Sequence, residues 1–214
     1  EEGVFPARTH FLEGMFKPLL PGMSLTQRVV FANLWLLRPL VARAMCKYPK
    51  MNAEIRTTAA VTLLRGGVKE NVVPEKVSAL VNFRIMPGET VASVMERARK
   101  IIADDRVGIK AQDNAIEPSP VTEVQSGAYA LLVKTIRQAA REKTLAVAPY
   151  LVTGGTDSRY FAGLSENVFR FLFNRMKKED LARLHGCNER ISVENYLQVI
   201  EFYRFLLKIS QELS

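Results

Sequence analysis

The chain has two histidines, His10 and His185, and this scarcity bounds the chemistry it can perform. A catalytic zinc centre takes three protein ligands and keeps one position open. No histidine pair at ligand spacing supplies them, so His-rich catalysis within the chain is excluded. His185 lies in Leu184-His185-Gly186-Cys187-Asn188-Glu189, a loop before the last helix, and read alone it is a structural or solvated residue. Gly154-Gly155-Thr156-Asp157-Ser158 follows an apolar run; its glycines admit close backbone approach, and successive amides can cradle an anion. By itself that segment is only a turn. No phosphate-binding loop, dinucleotide glycine fingerprint or Gly-x-Ser-x-Gly elbow is present. Cys46 and Cys187 form neither a disulfide framework nor a Cys-x-x-Cys site.

Positioning falls to elements that the periodicity reveals. Prolines 6, 18, 21, 39 and 49 predict short helices over the first fifty residues. Residues 57–64 are β-branched and apolar and end at Gly66-Gly67, which predicts a strand and a turn. In the next strand Val77, Ala79, Val81, Phe83 and Ile85 alternate with Ser78, Leu80, Asn82 and Arg84, so Arg84 leaves the face opposite the apolar one. Thr90 caps a helix with Val91, Val94, Ala98, Ile101 and Ile102 on one stripe. A further strand is expected at 107–111, giving a β-β-α-β order of split-βαβ type without its first strand. Pro118 and Pro120 mark a boundary. Beyond it come a helix (Tyr129, Leu132, Val133, Ile136, Ala140), strands at 148–152 and 167–171, and a last helix. Ser192 caps that helix, and Tyr196, Val199, Ile200, Tyr203, Leu206 and Leu207 share its predicted buried face. Two strands are too few for a self-sufficient layered α/β sheet, which points to a missing part.

The composition, 48% apolar and 24% charged, is that of a folded globular chain. The formal charge of +8 is dispersed, with no like-charge block and no aromatic-basic interleaving, so no nucleic-acid partner is expected. The apolar stretch 29–42 is interrupted by Asn33, Arg38 and Pro39 and is too short to span a bilayer. It serves as a core helix or as a greasy surface for substrate or membrane. Arg28 and Arg38 give it weak basic amphipathic character, so packing is expected over membrane contact. Glu1-Glu2-Gly3 is no signal peptide, and the missing initiator Met suggests a fragment.

Taken together, several segments resemble one family. Thr57-Thr58-Ala59…Thr62, Gly67-Val68-Lys69-Glu70-Asn71-Val72-Val73-Pro74 and Val81-Asn82-Phe83-Arg84-Ile85-Met86-Pro87-Gly88 resemble the lid, or dimerisation, domain of the dinuclear-zinc aminoacylases and carboxypeptidases. Gly154-Gly155-Thr156-Asp157-Ser158-Arg159 and His185-Gly186-Cys187-Asn188-Glu189-Arg190-Ile191-Ser192 resemble C-terminal stretches of that family's catalytic domain, in the same order. The likeness runs from about Trp35 to the end and is greatest to the N-fatty-acyl-amino-acid synthase/hydrolase branch.

The resemblance implies an α/β protein with an α+β, ferredoxin-like lid over 1–116 and the C-terminal part of a catalytic domain over 117–214. It implies zinc, two ions in the intact protein, with His185 as one ligand. Asn71 and Arg84 would hold the substrate's carboxylate or the amide oxygen, and Gly154, Gly155 and Thr156 would line the substrate loop. Asp157 and Arg159 would brace it. The substrate would be an N-acyl amino acid or a peptide, with stretch 29–42 lining or guarding an acyl-chain site and a homodimer possible through the lid sheet. The family's His-x-Asp motif, bridging Asp, Glu-Glu pair and Gly-His-x-Ser stretch do not occur in these residues, so the chain alone is expected to be inactive. Phe173 stands where the family pattern predicts proline. The rival expectation is a stand-alone dimerisation module without catalysis.

Overall fold

The computed structural model describes residues 5–152, 154–181 and 183–211. It divides into two compact units, Glu1–Val121 with Tyr150–Arg159, and Thr122–Pro149 with Tyr160–Ser214.

The first unit opens with short helices, α1 (Leu12–Phe16), a 3-10 turn (Lys17–Gly22), α2 (Leu25–Ala32), α3 (Leu34–Cys46) and α4 (Pro49–Ile55). Ser24 and Gln27 close a capping box at the start of α2. Proline placement accounts for most of the punctuation, since Pro18 and Pro21 lie in the 3-10 turn and Pro49 opens α4. Helix α3 departs from the expectation and runs through Pro39. The ring removes one backbone donor, but Leu34, Val41 and Met45 on the opposite face are buried with Leu12 and Ile55. Burial on that scale, about 1.5–3 kcal/mol per large side chain, outweighs an interior proline at about 3 kcal/mol. Phe16 stacks on Phe31 with ring centres 3.9 Å apart, holding α2 against this core.

The sheet is an antiparallel ribbon of β1 (Thr58–Arg65) and β2 (Ser78–Arg84). Thr58 pairs with Arg84 at one end and Arg65 with Ser78 at the other; Thr62 is bulged, because Val61 faces Val81 while Leu63 faces Leu80. Gly67, at φ +69°, lies in the left-handed region at the start of the connecting loop. Helix α5 (Val91–Ile102) follows, with Thr90 and Ser93 closing its capping box. Phe5, Met86 and Val94 are buried at the Arg84 end of the ribbon, with Phe5 edge-on to Phe83 at 6.0 Å. The ribbon is otherwise exposed on both faces.

The fold is α+β, with the expected β-β-α order, but its third strand does not form: 107–111 is irregular. The same holds for 148–152 and 167–171. Their alternation is real, yet a strand needs a neighbour to satisfy its outward N–H and C=O groups, and among the described residues only β1 and β2 pair.

In the second unit α6 (Gly127–Ala139), capped by Ser126, packs on α8 (Val193–Gln211), and α7 (Lys178–Leu181) is a single turn. Phe202 of α8 is buried and stacked face to face on Phe173 at 5.0 Å, with Phe171 at 5.3 Å. Phe173, the departure from the family pattern, therefore has a packing role. It also turns α8: Val199 and Leu206 are half-buried, but Tyr196, Ile200, Tyr203 and Leu207 of the predicted core stripe are exposed. The helix is apolar on two sides, and the side with aromatic partners is buried.

One buried hydroxyl joins β1, β2 and α5. Thr57, 2% exposed, accepts a hydrogen bond from the Met86 amide at 2.8 Å and donates one to the Glu89 carboxylate. Thr57→Val keeps the shape and strands that amide, so unfolding in urea is expected to show a loss of about 1–3 kcal/mol, which Thr57→Ser largely restores.

Candidate functional site

Arg84 ends β2 beside this anchor. Its neighbour Phe83 is half-buried while Arg84 is exposed, the parity that the alternation predicts. Glu89, which receives the Thr57 proton, also faces the Arg8 guanidinium at 4.0 Å. The Arg8 guanidinium in turn fills the space beside Gly88, where a Cβ would meet it at 2.9 Å and where φ is +86°. The backbone around Arg84 is thus fixed from three directions. Among the described residues the Arg84 side chain has no ion pair or hydrogen bond. A planar fork of donors held on rigid backbone and left unpaired suits two-pronged recognition of a carboxylate.

Asn71 occupies a turn in the loop that joins β1 to β2, where the Val72 amide bonds to the Lys69 carbonyl at 3.4 Å. The strand register places this loop beyond the Arg65–Ser78 end, whereas Arg84 is at the Thr58 end. The seven residues of β2, at about 3.4 Å each, put roughly 20 Å between the two ends. Every residue of loop 66–77 is exposed, and the register sets the start of that loop and Arg84 at opposite ends of the ribbon.

Gly154, Gly155 and Thr156 belong to the first unit, in the segment Tyr150–Arg159. The Tyr150 hydroxyl ties that segment down by donating to the Glu54 carboxylate of α4. Burial, with the hydrogen bond and charge of Glu54 added, pushes the phenol upward from its ordinary value. The Thr156 and Ser158 hydroxyls bond to each other, and a 3-10 turn starts at Asp157. Among the described residues, a Cβ on Gly154 or Gly155 would meet nothing within 4 Å, so packing does not require glycine there.

His185 lies in the second unit, in a turn between α7 and α8. Asp180 braces the approach, accepting from the Lys177 amide at 2.9 Å and from the Arg183 guanidinium at 3.1 Å. The Asn195 side chain bonds the Arg175 carbonyl at 2.9 Å and ties α8 to the preceding segment. The Glu189 carboxylate accepts the His185 amide at 3.2 Å and holds the turn closed. His185 itself has φ +58°, left-handed backbone uncommon for a residue with a Cβ, and its side chain is exposed. Among the described residues no three His, Cys, Asp or Glu side chains gather to hold a metal ion. His185 is therefore one donor, and the residues present do not fit a complete zinc site.

No motif or periodicity points to one further feature, an open cleft of about 480 Å³ lined by Arg8, His10, Glu89, Glu117 and neighbours. Its carboxylates are committed to structure: Glu89 bonds Thr57, and Glu117 accepts the Val91 amide at the start of α5 at 3.0 Å.

Residues 28–108, which contain the ribbon and α5, match the family described as the peptidase dimerisation domain. The chain belongs to that family of peptidases. Among curated proteins it is 39% identical over 189 residues to a probable carboxypeptidase S-like 2 of Dictyostelium discoideum, covering 88% of this chain and 36% of that protein. To the N-fatty-acyl-amino acid synthase/hydrolases of Homo sapiens and Xenopus tropicalis it is 41% and 37% identical over 176 and 199 residues. Those matches cover 81% and 92% of this chain but 35% and 38% of the relatives. The chain thus spans little more than a third of their length. No solved structure matches it.

His185→Gly separates backbone from imidazole. Glycine relieves the left-handed conformation, so stability by thermal melting is expected to hold or rise by about 1 kcal/mol. A loss of that size instead would make the ring a structural element.

Proposed function

We propose that this chain is the lid (1–116) and the C-terminal part of the catalytic domain (117–214) of a zinc-dependent amidohydrolase. Its substrates are N-acyl amino acids or peptides with a free C-terminal carboxylate, and Arg84 binds that carboxylate. The observation carrying this reading is the exposed, unpaired guanidinium beside the buried Thr57 anchor, in a chain of the peptidase dimerisation family. His185 is one ligand of a two-zinc centre whose other ligands are not among the described residues, so the chain alone is inactive. Bound zinc would supply the activated water of such a hydrolase. Gly154, Gly155 and Thr156 offer backbone donors to the substrate, which accounts for glycines that the chain's own packing does not require.

The distance along the ribbon bears on how Asn71 serves. With some 20 Å between the ribbon's ends, Asn71 reaches the site of a second subunit while Arg84 serves its own. A homodimer built on the exposed ribbon supplies that arrangement. The bare edges of β1 and β2 are the surfaces such pairing uses.

In the full-length protein, Arg84→Ala is expected to lower kcat/KM for an N-acyl amino acid about a hundredfold, with little effect on a substrate whose carboxylate is amidated. Asn71→Ala and Arg84→Ala subunits, mixed and reassociated, should recover activity that neither parent has, because one site per heterodimer is intact. Equal loss on amidated and free substrates would sink the Arg84 role, and no recovery on mixing would place Asn71 and Arg84 in the same site or remove Asn71 from it. A chain that dimerises, ignores zinc and hydrolyses nothing when full-length is the interaction module instead.

A further inference from the structure

The α2–α3 corner is apolar on its outside. Leu25 (76% exposed) and Val29 project from α2, and Trp35 (73%), Leu36 and Leu40 (both 61%) from α3. The opposite face of α3, with Leu34, Val41 and Met45, is buried in the core, so the corner is anchored while its outer face is bare. The two helices together have the length and hydropathy of a bilayer span, but the chain bends by 111° between them, and no single helix among the described residues is long and apolar enough to cross a membrane. A bent apolar pair of this kind can enter one leaflet without crossing it.

Charge selects the occupant. Between Glu13 and Glu54 the sequence has no acidic residue and carries Lys17, Arg28, Arg38, Arg43, Lys47 and Lys50. Arg28 is committed to the Leu20 and Pro21 carbonyls and Arg38 to Glu13. Arg43, Lys47 and Lys50 are exposed, and among the described residues they have no partner. Leu36, Leu40, Arg43 and Lys47 recur at helical spacing on one face of α3, apolar toward the corner and cationic away from it. At about 1.5 Å per residue, Leu36 and Arg43 stand roughly 10 Å apart along the axis. With the N-terminal end of α3 tilted inward, that span lets the leucines sink the ~5–10 Å of an interfacial apolar face while the cations stay nearer the headgroups.

We propose that the α2–α3 corner docks peripherally on an anionic lipid surface, with Leu25, Val29, Trp35, Leu36 and Leu40 among the acyl chains and Arg43, Lys47 and Lys50 at the headgroup phosphates. Arg28 and Arg38, the cations that flank the apolar stretch, are the two that internal bonds occupy. Docking does not depend on the amidohydrolase reading, and its test needs no substrate.

Trp35 is the sole tryptophan of the chain and reports directly. With phosphatidylcholine vesicles containing phosphatidylserine, its emission should shift to the blue and be quenched by lipids brominated near the headgroup end of the acyl chain. Vesicles without phosphatidylserine, or high salt, should weaken co-flotation. Leu36→Glu with Leu40→Glu should abolish the shift with unchanged far-ultraviolet circular dichroism, and each of Arg43→Glu and Lys47→Glu should lower partitioning about fivefold or more. Trp35 emission already blue-shifted and shielded from acrylamide before lipid is added would show the face covered by protein and overturn the proposal. So would a shift produced by a monomeric N-acyl amino acid but not by vesicles, which would make the corner an acyl-chain site. Full-length protein that fails to float where this chain does would likewise overturn it.

Discussion

The Thr57 hydroxyl is the point on which the arrangement of the first unit turns. A ribbon of two strands has little stability by itself, because each strand has one paired edge and neither face is covered. Here one end is fixed by a buried hydrogen bond from Met86 to Thr57, by the Thr57–Glu89 bond, and by buried Phe5 edge-on to Phe83. Positional definition falls with distance from that end. Arg84 lies two residues from Met86 and inherits a fixed backbone. Asn71 lies at the far end, in a loop exposed throughout, and the chain does much less to place it.

Among the described residues, three of the exposed apolar surfaces differ in what surrounds them. The ribbon offers unpaired backbone edges with Val61, Leu64 and Val77 exposed, which suits another strand. The outer stripe of α8, with Tyr196, Ile200, Tyr203 and Leu207, lies on the back of a helix already packed through Phe202, and Tyr203 gives its hydroxyl to the Phe171 carbonyl at 2.6 Å. Of these, the α2–α3 corner combines bare leucines and a tryptophan with cations that have no partner among the described residues, and the Glu13 carboxylate beside it is committed to Arg38. A protein partner there would need to bring apolar and acidic groups together at matching depth, whereas an anionic lipid leaflet presents that layering everywhere.

Local signals in the sequence located most elements. The caps at Thr90 and Ser192, the alternation from Val77 to Ile85 and the Gly66-Gly67 turn rest on neighbours a few residues apart, and each is where the pattern places it. The failures share a physical cause, since each concerns a partner rather than a pattern. Alternation at 107–111 gives a strand two faces but no neighbour to bond. The apolar positions of α8 describe two faces, and only the aromatic stack of Phe171, Phe173 and Phe202 decides which is buried. Pro39 breaks a helix in water, but α3 has a core to hold it. For the site, parity put Arg84 off the core face, and the opposite-end relation of Asn71 and Arg84 followed once the hairpin register was known. The left-handed backbone at His185 had no signature beyond the following glycine.

The residues proposed for function are also those whose local features serve nothing inside the chain. Among the described residues, Arg84 is a charge on rigid backbone with no counter-charge, and Gly154 and Gly155 have the space for a side chain. His185 holds a strained backbone, with Glu189 locking the turn, yet its ring is packed in no core. Folding alone would favour a paired arginine, alanines in the loop and glycine at 185, each by a fraction of a kcal/mol to about 1 kcal/mol. When local preference is overridden and no internal contact compensates, the compensation lies in something the residue meets from outside. In the proposed reading each calls for its own ligand chemistry: the guanidinium for a carboxylate, the loop amides for a carbonyl oxygen and the imidazole for a metal ion.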